Sequence, residues 1–226
     1  MLALIDSDIL VYRIGFASND ENEKIAISRC ADFMEELVMK PWVGDYKGFL
    51  TGSGNYRYDI AKTQPYKGNR KADKPKHYDL LREYLIKAWG CELIEGQEAD
   101  DAIGIMASEN EDKESFVIMS IDKDLDMIEG WHYNFVKDNK YFIEPFEALK
   151  RFYSQILTGD KVDNIPGIKG IGPAKSAKIL KDCKTEQELF KAVLEAYDGN
   201  INYLTEMGQL LWIRRKPNEI WQPPAQ

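Results

Sequence analysis

An α/β protein with a mostly parallel central sheet flanked by helices, followed by a helical unit, is the fold class the sequence predicts. Three observations predict it. Short apolar runs alternate with amphipathic stretches through the first 145 residues, the pattern of strands and crossover helices in a parallel sheet. "SFVIMSI" (115–121) is apolar almost throughout, as a strand buried on both faces requires. From Pro145 onward the spacing turns helical.

The elements follow in order. "LALID" (2–6) is a strand ending in an acid. From about Glu23 to Met39 the apolar residues Ile25, Ile27, Ala31, Phe33, Met34, Leu37 and Val38 recur at helical spacing, and Pro41 closes the run. "YKGFLT" (46–51) is a second strand and "GSGN" (52–55) a loop. The basic stretch "KTQPYKGNRKADKPKH" (62–77) carries Pro65, Gly68 and Pro75, so at least part of it is irregular. "KHYDLLREYLIKAWG" is an amphipathic helix ending at Gly90. "CELIE" is a strand, and "EADDAIGIMASEN" a helix whose first turn is acidic, as the helix dipole favours. "WHYNFV" and "KYFIE" form a hairpin with Lys137–Lys140 as its turn. The expected division is a core over 1–145, with a basic segment at about 62–88, and a helical unit over 146–226 whose tail returns to the core.

Composition narrows the chemistry. The 226 residues are 44% hydrophobic and 12% aromatic, enough for one substantial core. No run is apolar enough to span a bilayer, and Asp6 and Asp8 interrupt the N-terminal apolar stretch, so the expectation is a cytoplasmic protein with no membrane partner. Cys30, Cys91 and Cys183 are scattered, without zinc or disulfide spacing. His77 and His132 are the only histidines. A catalytic metal here is therefore a hard cation held by oxygen. The net charge of −8 argues against a nucleic-acid partner, yet lysine and arginine crowd into 62–77, 169–181 and 214–216. That segregation suggests a phosphate-binding surface around an acidic pocket, although charge alone favours the plainer reading of an acidic protein with solvated lysines.

Acids recur where strands end: Asp6 after "LALI", Glu98, Asp100 and Asp101 after "CELIEGQ", Asp122 and Asp124 after "SFVIMSI". The carboxyl edge of an open α/β sheet is where ligands gather. Carboxylates brought together there repel one another unless cations sit between them. Two ions so held suit in-line attack on a phosphodiester. Taken singly, each group is also explained as a turn acid, a helix start or a cap. Further on, "TGDKVDNIPGIKGIGPAKSAKIL" (158–180) sets Asp160 and Asp163 ahead of Gly167, Gly170 and Gly172. A tight turn between short helices, offering backbone amides to a phosphate with Lys169 and Lys175 nearby, explains three glycines better than a single cap does. The absence of Gly-Lys-Ser/Thr disfavours a P-loop.

Together "LIDSDILVYR", "YKGNRK", "EADDAIGIMA", "SIDKDLDMI" and "TGDKVDNIPGIKGIGPAKSA" resemble, in order, the motifs of the 5′-nuclease superfamily, and the short length looks most like its stand-alone phage enzymes. The resemblance implies a divalent-metal-dependent 5′→3′ exonuclease or flap endonuclease acting near 5′ ends, flaps and duplex–single-strand junctions of DNA, and also on the RNA strand of hybrids. It implies a monomer, in the host cytoplasm if viral. Asp6, Glu98, Asp100 and Asp101 would form or support one Mg²⁺ or Mn²⁺ site. Asp122 and Asp124 would sit between sites, and Asp160 and Asp163 would complete the second. Lys67 and Arg70 would meet the scissile phosphate, with Lys71 beside them and Tyr66 either stacking on the terminal base or packing beneath. Gly167, Lys169, Gly170, Gly172 and Lys175 would grip the duplex through a helix–three-turn–helix element at about 156–182, with a potassium ion on the carbonyls of 167–172. One departure stands out: Gly52 occupies the place after the second strand where the family usually carries an Asp. A weakened or inactive DNA-binding relative, and a single-strand RNase with a related core, are the alternatives.

Overall fold

The protein's structure is a computed structural model that describes residues 1–69 and 73–225. Its sheet runs in the order β3-β2-β1-β4-β5-β6. The strands are β1 (Leu2–Asp6), β2 (Asp45–Thr51), β3 (Glu92–Ile94), β4 (Phe116–Met119), β5 (Gly130–Asn134) and β6 (Asn139–Ile143). All neighbours pair in parallel except β5 with β6. Strand alternation divides the core. Ala3, Ile5, Leu50, Val117 and Met119 face one layer, with α1 (Ser7–Ala17), α2 (Glu23–Val38) and α4 (Tyr78–Trp89). Leu4, Phe49, Phe116 and Ile118 face the other, with α5 (Ala99–Glu109) and Ile213. Because β1 lies between β2 and β4, chain crossovers leave it in opposite directions, which opens a crevice at the carboxyl edge there.

The single turn α3 (Arg57–Ile60) precedes the basic segment, and Glu206 anchors that segment's start by accepting from the backbone amides of Lys62 and Thr63 at 2.7 and 2.6 Å. A 3₁₀ turn spans Asp124–Met127. The C-terminal helices are α6 (Pro145–Thr158), α7 (Pro173–Ile179), α8 (Glu186–Ala196) and α9 (Ile201–Leu211). They enclose a third cluster containing Phe152, Tyr153, Leu189, Leu204, Met207 and Trp221. A two-strand ladder, β7 (Gly159–Asp160) with β8 (Ile165–Pro166), follows α6.

Two elements differ from expectation. Helix α1 begins directly where β1 ends, because the Asp6 side chain accepts from the Ile9 amide and caps it. Its apolar residues continue those of the strand without a break, which hides the change of period. The hairpin turn occupies residues 135–138 rather than Lys137–Lys140: Asn139 and Lys140 already pair in β6, and Asp138 takes the turn's positive φ of 46°.

Candidate active site

The crevice opens as a cleft of about 610 Å³ whose lining includes Asp6, Asp8, Glu98, Asp100, Asp122, Asp124, Asp160 and Asp163, together with Tyr66 and Lys67. Each acid arrives by a different route. Asp6 ends β1, Glu98 caps α5, Asp100 sits in that helix's first turn, and Asp122 and Asp124 follow β4. Asp160 ends β7, and Asp163 lies in the turn between β7 and β8. Short hydrogen bonds fix them. Ser120 Oγ donates to Asp6 Oδ2 at 2.7 Å and accepts from the Asp122 amide at 2.9 Å. Gln155 Nε2 donates to Asp124 Oδ1 at 2.9 Å, and the Val162 amide to Asp160 Oδ1 at 2.7 Å.

Crowding shows in the electrostatics. Burial, and then the charges of Asp8 and Asp122, push Asp6 up to about 7 against a lowering by the Ser120 hydrogen bond. Burial and then Asp122 and Asp160 push Asp124 up to about 7. Asp100 is raised well above the carboxylate range by burial and then by Asp6, Asp122 and Glu98. Asp122 is raised by burial, with Asp160 and Asp163 adding to it, so it responds to acids on both sides. Such mutual repulsion is what a bound cation relieves.

Cations of the chain itself enter the same space. Lys67 Nζ bonds Glu98 and lies 3.7 Å from Asp163 Oδ2. The Tyr66 hydroxyl lies 3.0 Å from Glu98 Oε2 and 2.7 Å from Asp163 Oδ2, so it donates to either. Among the described residues, no group of three or more His, Cys, Asp or Glu side chains is arranged to hold a metal ion. The donor chemistry nonetheless fits a hard divalent cation: the ionisable lining is rich in carboxylate oxygen and contains no thiol or imidazole.

No family model matches the chain. DNA polymerase I of Bacillus caldotenax is 30% identical over 220 residues, covering 86% of this chain and 25% of that protein. A 5′-3′ exonuclease of Buchnera aphidicola is 28% identical over 216 residues, covering 85% of this chain and 74% of that one. The chain is similar in sequence to 5′-3′ exonucleases and to a part of DNA polymerase I. It spans about a quarter of the length of the DNA polymerase I relatives. The fold likeness is equally clear. Bacteriophage T5 5′-exonuclease with bound zinc superposes with a TM-score of 0.64 at 19% identity, over 93% of this chain and 86% of that one. The catalytic core of Rad2 in complex with DNA substrate superposes with a TM-score of 0.55 at 16% identity, over 91% and 64%.

Within this fold some expected site residues take other roles. Asp101 is a correction. It is fully buried and turned from the cleft, its two oxygens held by Arg57 Nη1 at 2.6 Å and Nη2 at 2.9 Å. It also accepts from the amides of Glu98 and Arg214, so it positions Glu98 rather than facing an ion. Tyr66 takes the packing alternative: it is only 4% exposed and its ring packs edge-on against Tyr58, with its hydroxyl in the cleft. Gly167 is a second correction. A Cβ there would lie 2.2 Å from the carbonyl carbon of Thr158, so this glycine serves backbone approach. Gly170, Gly172, Lys169 and Lys175 are exposed around the turn before α7. Arg70 and Lys71 lie outside the described residues.

Other residues of the site escaped sequence reading. Asn69 Nδ2 donates to Lys161 O at 2.7 Å and Asn164 Nδ2 to Pro65 O at 2.9 Å, tying the basic segment to the acidic turn. Arg57 and Arg82 bind Asp101 and Asp8. The asparagines stood inside recognised motifs, whereas nothing in a linear pattern marks Arg57 or Arg82 as an acid's partner.

Proposed function

We propose that the chain is a divalent-cation-dependent 5′-nuclease, hydrolysing phosphodiesters near the 5′ ends of DNA as an exonuclease and flap endonuclease. The observation that supports it most is the convergence of seven expected carboxylates and Lys67 on one cleft. Its relatives at sequence level carry the name 5′-3′ exonuclease or DNA polymerase I. RNA strands of hybrids are proposed as further substrates.

Asp6, Glu98, Asp100 and Asp122 would hold one Mg²⁺ or Mn²⁺, and Asp122, Asp124, Asp160 and Asp163 another. When bound, such ions supply Lewis-acid stabilisation and a nucleophile competent at neutral pH. The chain's own part is positioning and charge. Lys67 Nζ, poised beside Glu98 and Asp163, can turn to a non-bridging phosphoryl oxygen and offset the charge that builds there. Ser120 aligns Asp6 with Asp122. The exposed Gly170–Gly172 turn, flanked by Lys169 and Lys175, would hold the duplex backbone without reading bases, with a potassium ion on its carbonyls as part of the same proposal.

Gly52 favours one rival, a relative that binds but does not cut. The test is 5′-labelled flap and nicked DNA incubated with Mg²⁺ or Mn²⁺. Release of short 5′ products is expected. Binding without cleavage at every metal concentration would establish the rival, and a strong preference for single-stranded RNA would replace the DNA reading.

A further inference from the structure

The carboxyl edge of the sheet is unevenly furnished. β1 ends in Asp6, β4 leads into Asp122 and Asp124, and the segment after β3 leads to Glu98 and Asp100. β2, lying between β3 and β1, ends in Thr51, Gly52 and Ser53 and presents no charge of its own. Nor has Gly52 room for one: a Cβ would lie 2.6 Å from Glu95 Oε1 and 2.7 Å from the carbonyl oxygen of Ile94. The side chain of Glu95 is exposed and could move, but that carbonyl accepts the Gly52 amide and cannot.

A carboxylate stands over this gap from another element. Asp8, in the first turn of α1, lines the same cleft as Gly52. Its Oδ2 accepts the Thr51 amide at 2.9 Å. Its Oδ1 accepts Arg82 Nη1 at 2.9 Å, while Nη2 of that guanidinium donates to Thr51 O at 2.6 Å. Arg82 thus pins Asp8 to the last residue of β2. Thr51 extends the connection, its Oγ1 accepting the amide of Ala99, at the start of the helix that carries Asp100. Each oxygen of Asp8 keeps a second lone pair beyond these bonds.

We infer that Asp8 supplies to the cation site the carboxylate that the end of β2 lacks, with Arg82 and Thr51 as its positioning residues. This rests on the reading of the cleft as a divalent-cation site. A carboxylate so held acts as a ligand or through an intervening water, and either way adds negative charge beside Asp6. The competing role is a brace between α1 and α4 that no ion feels.

The two roles separate by sign. In titrations of the metal-free protein with Mn²⁺, followed by calorimetry, Asp8→Asn loses a charge at the site and weakens binding about fivefold or more. Arg82→Met removes a nearby positive charge and keeps the carboxylate, so it tightens binding by a few-fold. A brace predicts that both variants weaken binding or that neither changes it, and either result overturns the inference. If Asp8→Asn does not fold in EDTA, Arg82→Met decides alone: tighter binding supports the role, unchanged or weaker binding refutes it. A wild-type protein that neither binds Mn²⁺ nor cuts flap DNA would instead refute the function itself.

Discussion

The backbone amide of Lys67 donates to the backbone carbonyl of Asp163 at 2.8 Å, joining residues 96 positions apart. Both Lys67 and Asn164 have positive φ, 54° and 59°, a conformation L-residues adopt reluctantly. The base of the basic segment and the acidic turn therefore behave as one body, and the ammonium of Lys67 is placed by main chain as well as by charge.

That coupling predicts an effect for Asn164, whose amide reaches Pro65 O. Asn164→Gly keeps the positive φ accessible and removes only the side chain. Single-turnover cleavage is expected to slow roughly tenfold at unchanged DNA affinity. Lys67→Ala should slow it roughly 100-fold or more, the scale for losing a donor to a developing anion. An unchanged rate in either variant would contradict the placement.

Asp163→Ala should reduce cleavage far more than binding, roughly 100-fold against a few-fold, because it removes charge that counts near the transition state. Binding is measured to flap DNA in EDTA. Equal losses in rate and affinity would show that the residue serves the grip.

Two acids of the site should have opposite effects on stability. Asp101→Ala strands the buried Arg57 guanidinium, and breaking such a pair costs about 3–5 kcal/mol. Asp124→Asn keeps the Oδ1 acceptor for Gln155 and relieves repulsion from Asp122 and Asp160. The metal-free protein should gain on the order of 1 kcal/mol, roughly 2–4 °C in melting temperature, while cleavage falls. Thermal melts in EDTA check both.

His132 should make stability fall in mild acid. Its Nε2 donates to Ile128 O at 2.8 Å, and Asp126, Tyr141 and Arg151 surround it. Burial is the main cause that lowers its pKa. The unfolded chain therefore takes up a proton near pH 6.5 that the folded one refuses, so stability is present above that pH and lost as pH falls below it. The crowded site carboxylates, with raised values, contribute in the opposite direction, so the measurable quantity is a difference. Between pH 7 and 5.5, wild type should lose more melting temperature than His132→Gln. Identical slopes would refute this.

Much of this was legible in the chain. The strand–acid alternation gave the sheet edge, and the motif order gave the cleft, because both are written in residue type and spacing. What stayed hidden depends on helix phase and on partners far away in sequence. Adjacent helical residues point about 100° apart, so "EADD" could not say that Asp100 faces the cleft while Asp101 faces Arg57. For Tyr66 the sequence left stacking and packing equally open, and only its contact with Tyr58 decides for packing. Nothing in the spacing of Gly167 showed how closely it meets the backbone of Thr158. The value of Asp8 depends on Arg82, 74 positions later.

The C-terminal segment reaches back into the α5 layer and into the helical cluster. Ile213 packs beside Leu4 and Phe49, the Arg214 amide caps Asp101 at 3.0 Å, and Trp221 seals Gly208 and Phe152. On a ribosome, the α5 side of the core is therefore incomplete until Arg214 has cleared the exit tunnel, long after β1 has emerged. The nascent chain must hold Leu4 and Phe49 half-covered until then, so chains made only to that point should engage chaperones, and the cleft, which Ile213 lines, closes late.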